Sequence, residues 1–222
     1  ILQKEDEETY HDEIISLLEK ASKLGNIEAS LMCGDIYYNQ EKYYDAFNMY
    51  KKAALKENTE GMFKYARMIE EGQGTIVDPQ NAVKYYQKCV DLQHIPSMYY
   101  LGRCYEKGNG VEKDYEKAFE LYQQSADNQN ADGMYGLGKL YKNGLGVDDD
   151  EDKAFEYFTK ASELDHVEGN YELGLMYEEG KGTDVDKSKA YEHFKFSSDH
   201  GYGPAMVYHA HDLLHGIGVE KD

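Results

Sequence analysis

The residues that could do chemistry gather in a few places. Five histidines lie late in the chain, at His193, His200, His209, His211 and His215. His211 and His215 are four apart, so on a helix both rings could face one metal ion, but a zinc site needs further ligands, recruited from His200 or Asp212. Two ligands are too few, and no metal is expected. The acidic run Asp148–Asp152 could attract a cation. A calcium loop read from Asp148 needs Gly at its sixth position and Glu at its twelfth, where this chain has Lys153 and Thr159. The run reads instead as a solvated turn beside a helix N-terminus, whose dipole its charge suits. Cys33, Cys89 and Cys104 are too widely and unequally spaced for a zinc site or a disulfide framework. With no Asn-x-Ser/Thr sequon beside them, they lean toward a reducing, cytoplasmic setting.

Catalysis by acid–base or nucleophilic groups needs unlike side chains converging in one pocket. Here the polar residues recur with a fixed period, as in a scaffold. Ser-x-x-Lys does not occur, so the penicillin-recognising motif is missing. The Gly-x-Gly turns look like phosphate loops, but they follow helical patterns and return in every period. No catalytic residue and no cofactor are expected, and the chain reads as non-enzymatic.

Forty-three acidic against 24 basic side chains leave a net charge of −19. Nucleic acids and anionic membrane surfaces are bound by neutralising phosphates with Lys and Arg, so this balance works against both. No run of about 18 apolar residues exists to insert in a bilayer. A hydrophobic content of 41% argues against disorder and for a buried core. Ile1 is not a natural initiator, so the chain is expected to be part of a longer protein.

The elements that position these groups follow from four ladders of period 36: Gly72, Gly108, Gly144, Gly180, Gly216; Gly74, Gly110, Gly146, Gly182, Gly218; Ala46, Ala82, Ala118, Ala154, Ala190; and Asp78, Asp114, Asp150, Asp186, Asp222. Each period reads as two helices. Met98, Leu101, Gly102 and Tyr105 fall on one face of the first, and Ala118, Leu121, Tyr122 and Ser125 on one face of the second. Gly108 stops the first helix, Asp114 caps the second, and Pro79 after Asp78 marks the same start one period earlier. Gly102 and Ala118 are small enough to let the paired backbones approach closely. Tyr85, Tyr86, Tyr122, Tyr157 and Phe158 on the second helices are expected in the core.

The predicted organisation is a lone second helix within 1–28, then repeats at 29–60, 61–96, 97–132, 133–168 and 169–204, and a truncated repeat at 205–222, all in one continuous solenoid. The first repeat is four residues short, because the turn NQEKYYDA lacks the Gly-x-Gly-Val element. Asp222 stands as the cap of a helix still to come, which points to a longer array.

The pattern A-x3-LG-x2-Y-x2-G-x-GV-x2-D-x3-A-x2-YY-x-KA, carried by Leu101, Gly102, Tyr105, Gly108, Gly110, Val111, Asp114 and Ala118 and again from Leu137 to Ala154, resembles the Sel-one-like repeat, a relative of the tetratricopeptide repeat. The resemblance covers about residues 10–222. It implies an all-α, right-handed superhelical solenoid that scaffolds protein complexes, among them adaptors of ubiquitin ligases in endoplasmic-reticulum degradation. That branch would place the chain in the reticulum lumen instead of the cytoplasm. A secreted branch staples each repeat with a disulfide; Cys89 matches one half of that staple, but the other half is Met98, so the staple is absent.

In such stacks the first helices line the concave side. Carried along the array, the face beside the packing face gives an aromatic row, Phe63, Tyr99, Tyr135 and Tyr171, and a basic row, Arg67, Arg103 and Lys139, followed by Leu175 and His211. Aromatics with Arg are enriched at binding hot spots. The expected function is a scaffold that holds a protein partner, as a peptide or a folded surface, in this groove, with an acidic or phosphorylated extended segment as the favoured occupant. The competing readings are inter-repeat packing of the aromatics, with the cations merely paired to Glu70, Glu71 and Glu106, and a structural spacer within a larger protein. A hydrolytic enzyme is the least favoured. The oligomeric state is not legible.

Overall fold

The computed structural model describes residues 2–218, and side chains from Tyr10 onward except His11. The last position of the Asp ladder, Asp222, lies outside the described residues. Among these there are twelve α-helices and no strand: α1 (Leu2–Lys23), α2 (Ile27–Asn39), α3 (Tyr43–Ala54), α4 (Thr59–Glu71), α5 (Pro79–Asp91), α6 (Ile95–Lys107), α7 (Tyr115–Asp127), α8 (Ala131–Asn143), α9 (Glu151–Ser162), α10 (Val167–Glu179), α11 (Lys187–Asp199) and α12 (Gly203–His215). They form two compact units, residues 1–97 with 109–112 and residues 98–108 with 113–222.

Short-range chemistry sets the helix ends. Asp78, Asp114, Asp150 and Asp186 each cap a second helix, their carboxylates accepting from the amides of Asn81, Lys117, Lys153 and Lys189. First helices are capped too, by a mixed ladder of Asn and His: Asn26, Asn58, Asn130 and His166 accept from the amides of Ala29, Gly61, Gly133 and Gly169. Gly72, Gly144, Gly180 and Gly216 end their helices in the left-handed conformation. The short first repeat has no such glycine, and Glu41 takes φ 58 in its turn.

The second glycine ladder joins neighbouring repeats. Gly110 sits at φ 78, and a Cβ there would fall on the carbonyl of Pro79, at the start of the preceding repeat's second helix. Gly146 meets Tyr115 and Gly182 meets Glu151 in the same way in the other unit. Each Gly-x-Gly turn therefore docks on the helix start one repeat earlier, a contact that leaves no room for a side chain.

The other small residue acts differently from the expectation. A Cβ on Gly102 would lie 2.8 Å from the Tyr122 ring, nearer than the Ala118 carbonyl at 3.3 Å. The room is taken mainly by an aromatic ring, and only secondarily by backbone. Gly138 meets Phe158 and Gly174 meets Phe194 likewise. Tyr86, Tyr122, Phe158 and Phe194 are fully buried as a result. Tyr85 and Tyr157, also expected in the core, are only half-buried. Tyr85 meets the edge of Tyr65 at 5.0 Å and Tyr157 stacks on Tyr141 at 5.7 Å. Cys33, Cys89 and Cys104 are buried thiols; burial is the main cause that pushes those of Cys33 and Cys89 up. No helix among the described residues is long and apolar enough to cross a membrane.

Candidate partner-binding groove

Each aromatic of the expected row rests on the second helix of its own hairpin, and Phe63, Tyr135 and Tyr171 also rest on the residue just before the next first helix. In the first unit Phe63 is buried between Tyr86, 6.2 Å away, and His94, 5.0 Å away. In the second unit Tyr99 lies 5.6 Å from Tyr122. Tyr135 lies 6.0 Å from Phe158 and stacks on His166 at 4.7 Å. Tyr171 lies 5.9 Å from Phe194 and 5.2 Å from Tyr202. One edge of these rings is thus committed to packing. Burial pushes the hydroxyls of Tyr99 and Tyr135 well up, and that of Tyr171 up to about 12, so all three are neutral donors.

Tyr99, Arg103, Tyr135 and Lys139 line one cavity of about 270 Å³ in the second unit, together with Glu106, Lys107, Glu168 and Tyr202. Phe63 and Arg67 belong to the first unit, and Tyr171 does not line the cavity but packs behind Tyr202 with Phe194 and Tyr208. Glu168 opens α10 and Tyr202 precedes α12, and nothing in their spacing announces that they face the same space.

The basic row is not a bare stripe. Lys139 Nζ donates to Glu106 Oε1 at 2.9 Å, and the Tyr122 hydroxyl donates to Glu106 Oε2 at 2.5 Å. Burial pushes the Glu106 carboxyl up, but the Tyr122 hydroxyl and Lys139 outweigh it and hold the carboxyl below its ordinary value. Arg67 Nη2 reaches Glu71 at 3.4 Å, one turn along its own helix. The Arg103 guanidinium lies over the Tyr100 ring at 4.6 Å. One repeat on, Lys142 pairs with Glu172 at 2.6 Å. Glu106, both of whose oxygens are engaged and whose side chain is 12% exposed, presents little charge to a ligand. The charged side chains that line the cavity are Arg103, Lys107, Lys139 and Glu106, with Glu168.

The histidine pair on α12 has its rings 4.5 Å apart, and Asp212 beside it is buried. Among the described residues no group of three His, Cys, Asp or Glu side chains could hold a metal ion.

Stacked two-helix repeats that present an aromatic and charged groove define a protein-interaction scaffold. The Sel1 repeat family matches this chain at residues 28–58, 59–94, 95–130, 131–166 and 167–202, and the chain belongs to that family. Among curated proteins it is similar to the ERAD-associated E3 ubiquitin-protein ligase component HRD3 of Candida glabrata, 35% identical over 72 residues, 32% of this chain and 9% of the relative. It is also similar to component HRD3A of Arabidopsis thaliana, 35% identical over 80 residues, 34% of this chain and 12% of the relative. The matched part is therefore a small share of either protein's length. Among solved structures, a Sel1 repeat protein from Oxalobacter formigenes superposes with a TM-score of 0.76 at 27% identity, covering 89% of this chain and 79% of that one. A protective antigen of uropathogenic Escherichia coli with an SLR fold gives a TM-score of 0.66 at 24% identity, covering 91% of this chain and 52% of that one, a likeness of fold.

Proposed function

We propose that the chain recruits a protein partner by holding an extended, acidic segment in the groove of the second unit. The observation that carries this reading is the convergence of Arg103, Lys107 and Lys139 with Tyr99 and Tyr135 on one cavity, in a chain whose net charge is −19. A locally basic pocket on an acidic protein steers carboxylates to one place and repels them elsewhere. Tyr99 and Tyr135 supply rigid apolar contact area at little entropic cost.

The test is a quantitative pull-down from native cell extract with the wild type and an Arg103→Gln/Lys107→Gln variant, after circular dichroism shows equal helicity. These two side chains are changed because removing Tyr99 or Tyr135 would damage hairpin packing. Partners lost only from the variant support the groove. An unchanged partner list sinks it, and no enriched partner with either protein favours the spacer reading.

A second reading rests on the likeness to HRD3: the chain is the repeat portion of an adaptor subunit of a ubiquitin ligase, working in the reticulum lumen and not in the cytoplasm. Protease protection of the protein in isolated microsomes supports the lumen, and digestion without detergent rejects it.

A further inference from the structure

Lys23, Lys52 and Lys56 line a cavity of about 530 Å³ between the end of α1, the start of α2 and the end of α3, and no Asp or Glu lines it. One repeat on, the equivalent cavity of about 270 Å³ sets Lys88 against Glu57 and Asp91. The difference is written in the sequence. Lys23 stands where later second helices have Leu55, Asp91, Asp127, Glu163 and Asp199, and Lys56 where they have Leu92, Asn128, Leu164 and His200. A helix dipole favours cations at the ends of α1 and α3, but Lys56 lies beyond α3, and later helices put acids at the Lys23 position against the same dipole. The three lysines therefore belong to this place and are not a rule of the repeat. Among the described residues none of them makes an ion pair; Lys52 Nζ lies 3.5 Å from Ser22 Oγ and 3.7 Å from Met49 Sδ. The floor is polar as well. Ser22 and Ser30 are 5% and 3% exposed, with their hydroxyls 2.8 Å apart. Ser30 stands where other first helices have Met62, Met98, Met134 and Met206. A later polar pair, Ser162 with Asn170 at 2.8 Å, has Glu163 and Leu164 where Lys23 and Lys56 stand.

We propose that this cavity is a separate binding site for the phosphate of a phosphorylated side chain, carried on an extended protein segment. A phosphate monoester brings nearly two negative charges and three strong acceptor oxygens, which three ammonium groups can meet. A carboxylate brings one charge and would leave most of that donor set unused. Lysine ammoniums are compact point charges suited to phosphate, and no arginine fork, which would favour a planar carboxylate, lines the cavity. The acids nearby in sequence do not compete. Glu19 accepts from the Tyr37 hydroxyl at 2.7 Å, Glu57 lines the next cavity, and Glu28 is exposed and lines neither. Leu24, Ile27 and Leu55 line the same space for apolar side chains flanking the phosphorylated residue. A volume of about 530 Å³ exceeds what one anion fills and leaves room for the backbone that carries it. Every lining residue lies in the first unit, so this site stands apart from the groove of the second unit.

The test is an NMR titration of the folded chain, labelled on isoleucine and leucine methyls, at about 0.15 M salt. The probe is the peptide acetyl-Gly-Ala-phosphoserine-Ala-Gly amide, compared with the same peptide unphosphorylated, with glutamate in place of phosphoserine, and with inorganic phosphate. The phosphopeptide is expected to shift the Leu24, Ile27 and Leu55 methyls saturably, while the unphosphorylated peptide leaves them still. Lys23→Gln/Lys56→Gln changes two exposed side chains and should weaken the phosphopeptide at least about tenfold at these reporters. The Leu137 methyl, buried in the second unit, should stay in place throughout and shows that the variant is folded. The assignment is overturned if the phosphopeptide moves none of the three methyls, if the unphosphorylated peptide moves them equally, or if the double variant binds unchanged. Equal affinity for the glutamate peptide overturns phosphate as the ligand, and equal affinity for inorganic phosphate overturns the protein segment as its carrier.

Discussion

Glu106→Gln is the perturbation that best separates the groove's structural role from its binding role. Lys139 Nζ lies 2.9 Å from Glu106 Oε1, with the side chains 30% and 12% exposed. At an effective dielectric constant of about 20, two unit charges at that distance attract by roughly 6 kcal/mol. Desolvation of both groups cancels most of this, and a half-buried pair nets about 1–2 kcal/mol. Glutamine keeps an acceptor for the Tyr122 hydroxyl, so the charge is the main thing lost. The expected stability loss is about 1–2 kcal/mol at neutral pH, read from urea unfolding followed by circular dichroism. The gap between the two proteins has a definite pH dependence. The folded Glu106 carboxyl is held below its ordinary value of 4.5. Its contribution is therefore fully present above that value and is lost as pH falls through the folded one. Binding should move the other way. Removing one negative charge from the cavity and releasing Lys139 should tighten binding of an acidic peptide, acetyl-hexaglutamate amide, about tenfold in an isothermal titration, one charge interaction of roughly 1.4 kcal/mol. Lost stability without tighter binding would refute the role of Lys139 toward the ligand. Tighter binding with unchanged stability would refute the pair's part in holding α6 to α8.

Three further outcomes are expected. Gly138→Ala places a Cβ 2.6 Å from the Phe158 ring; overpacking of about 1–3 kcal/mol outweighs the roughly 1 kcal/mol that alanine gains in a helix, and thermal unfolding should show a net loss. Gln129, at φ 59, stands on a ladder of left-handed turn residues that begins with Gly25 and ends with Gly201; Gln129→Gly should stabilise by about 0.5–1 kcal/mol in the same assay, and a loss would show that the side chain matters more than the backbone. His193 stacks on Tyr177 and contacts the Asn170 carboxamide, and its burial lowers its affinity for a proton. Its depressed folded value means that its contribution is present above the unfolded pKa of about 6.5 and is lost as pH falls. The melting temperature of the wild type should accordingly fall more between pH 7.5 and 5.5 than that of His193→Gln; equal falls would place the titration elsewhere.

Much of the fold was legible because the repeat writes each local rule several times over. The Asp caps, the glycine helix ends and the buried Ala and Tyr positions are short-range consequences of residue type, and five copies make each one visible above chance. The first-helix caps were as local but varied in kind, Asn26, Asn58 and Asn130 against His166, so no single-residue ladder announced them. Tyr85 and Tyr157 read as core because they neighbour Tyr86 and Phe158 in sequence, yet adjacent helical residues point about 100° apart and only one of each pair can face the hairpin partner.

By itself the sequence determined the all-helical class and the two-helix repeat, since both depend on periodicity and on the preferences of single residues; it carried the family resemblance and suggested the two rows of residues. The tertiary structure decided which members of those rows share a cavity, that Phe63 belongs to packing, and that Lys139 is tied to Glu106. These depend on side-chain reach across neighbouring helices. An ion pair or an aromatic wall is settled by distances of a few ångströms between residues about 30 positions apart, which no one-dimensional spacing specifies.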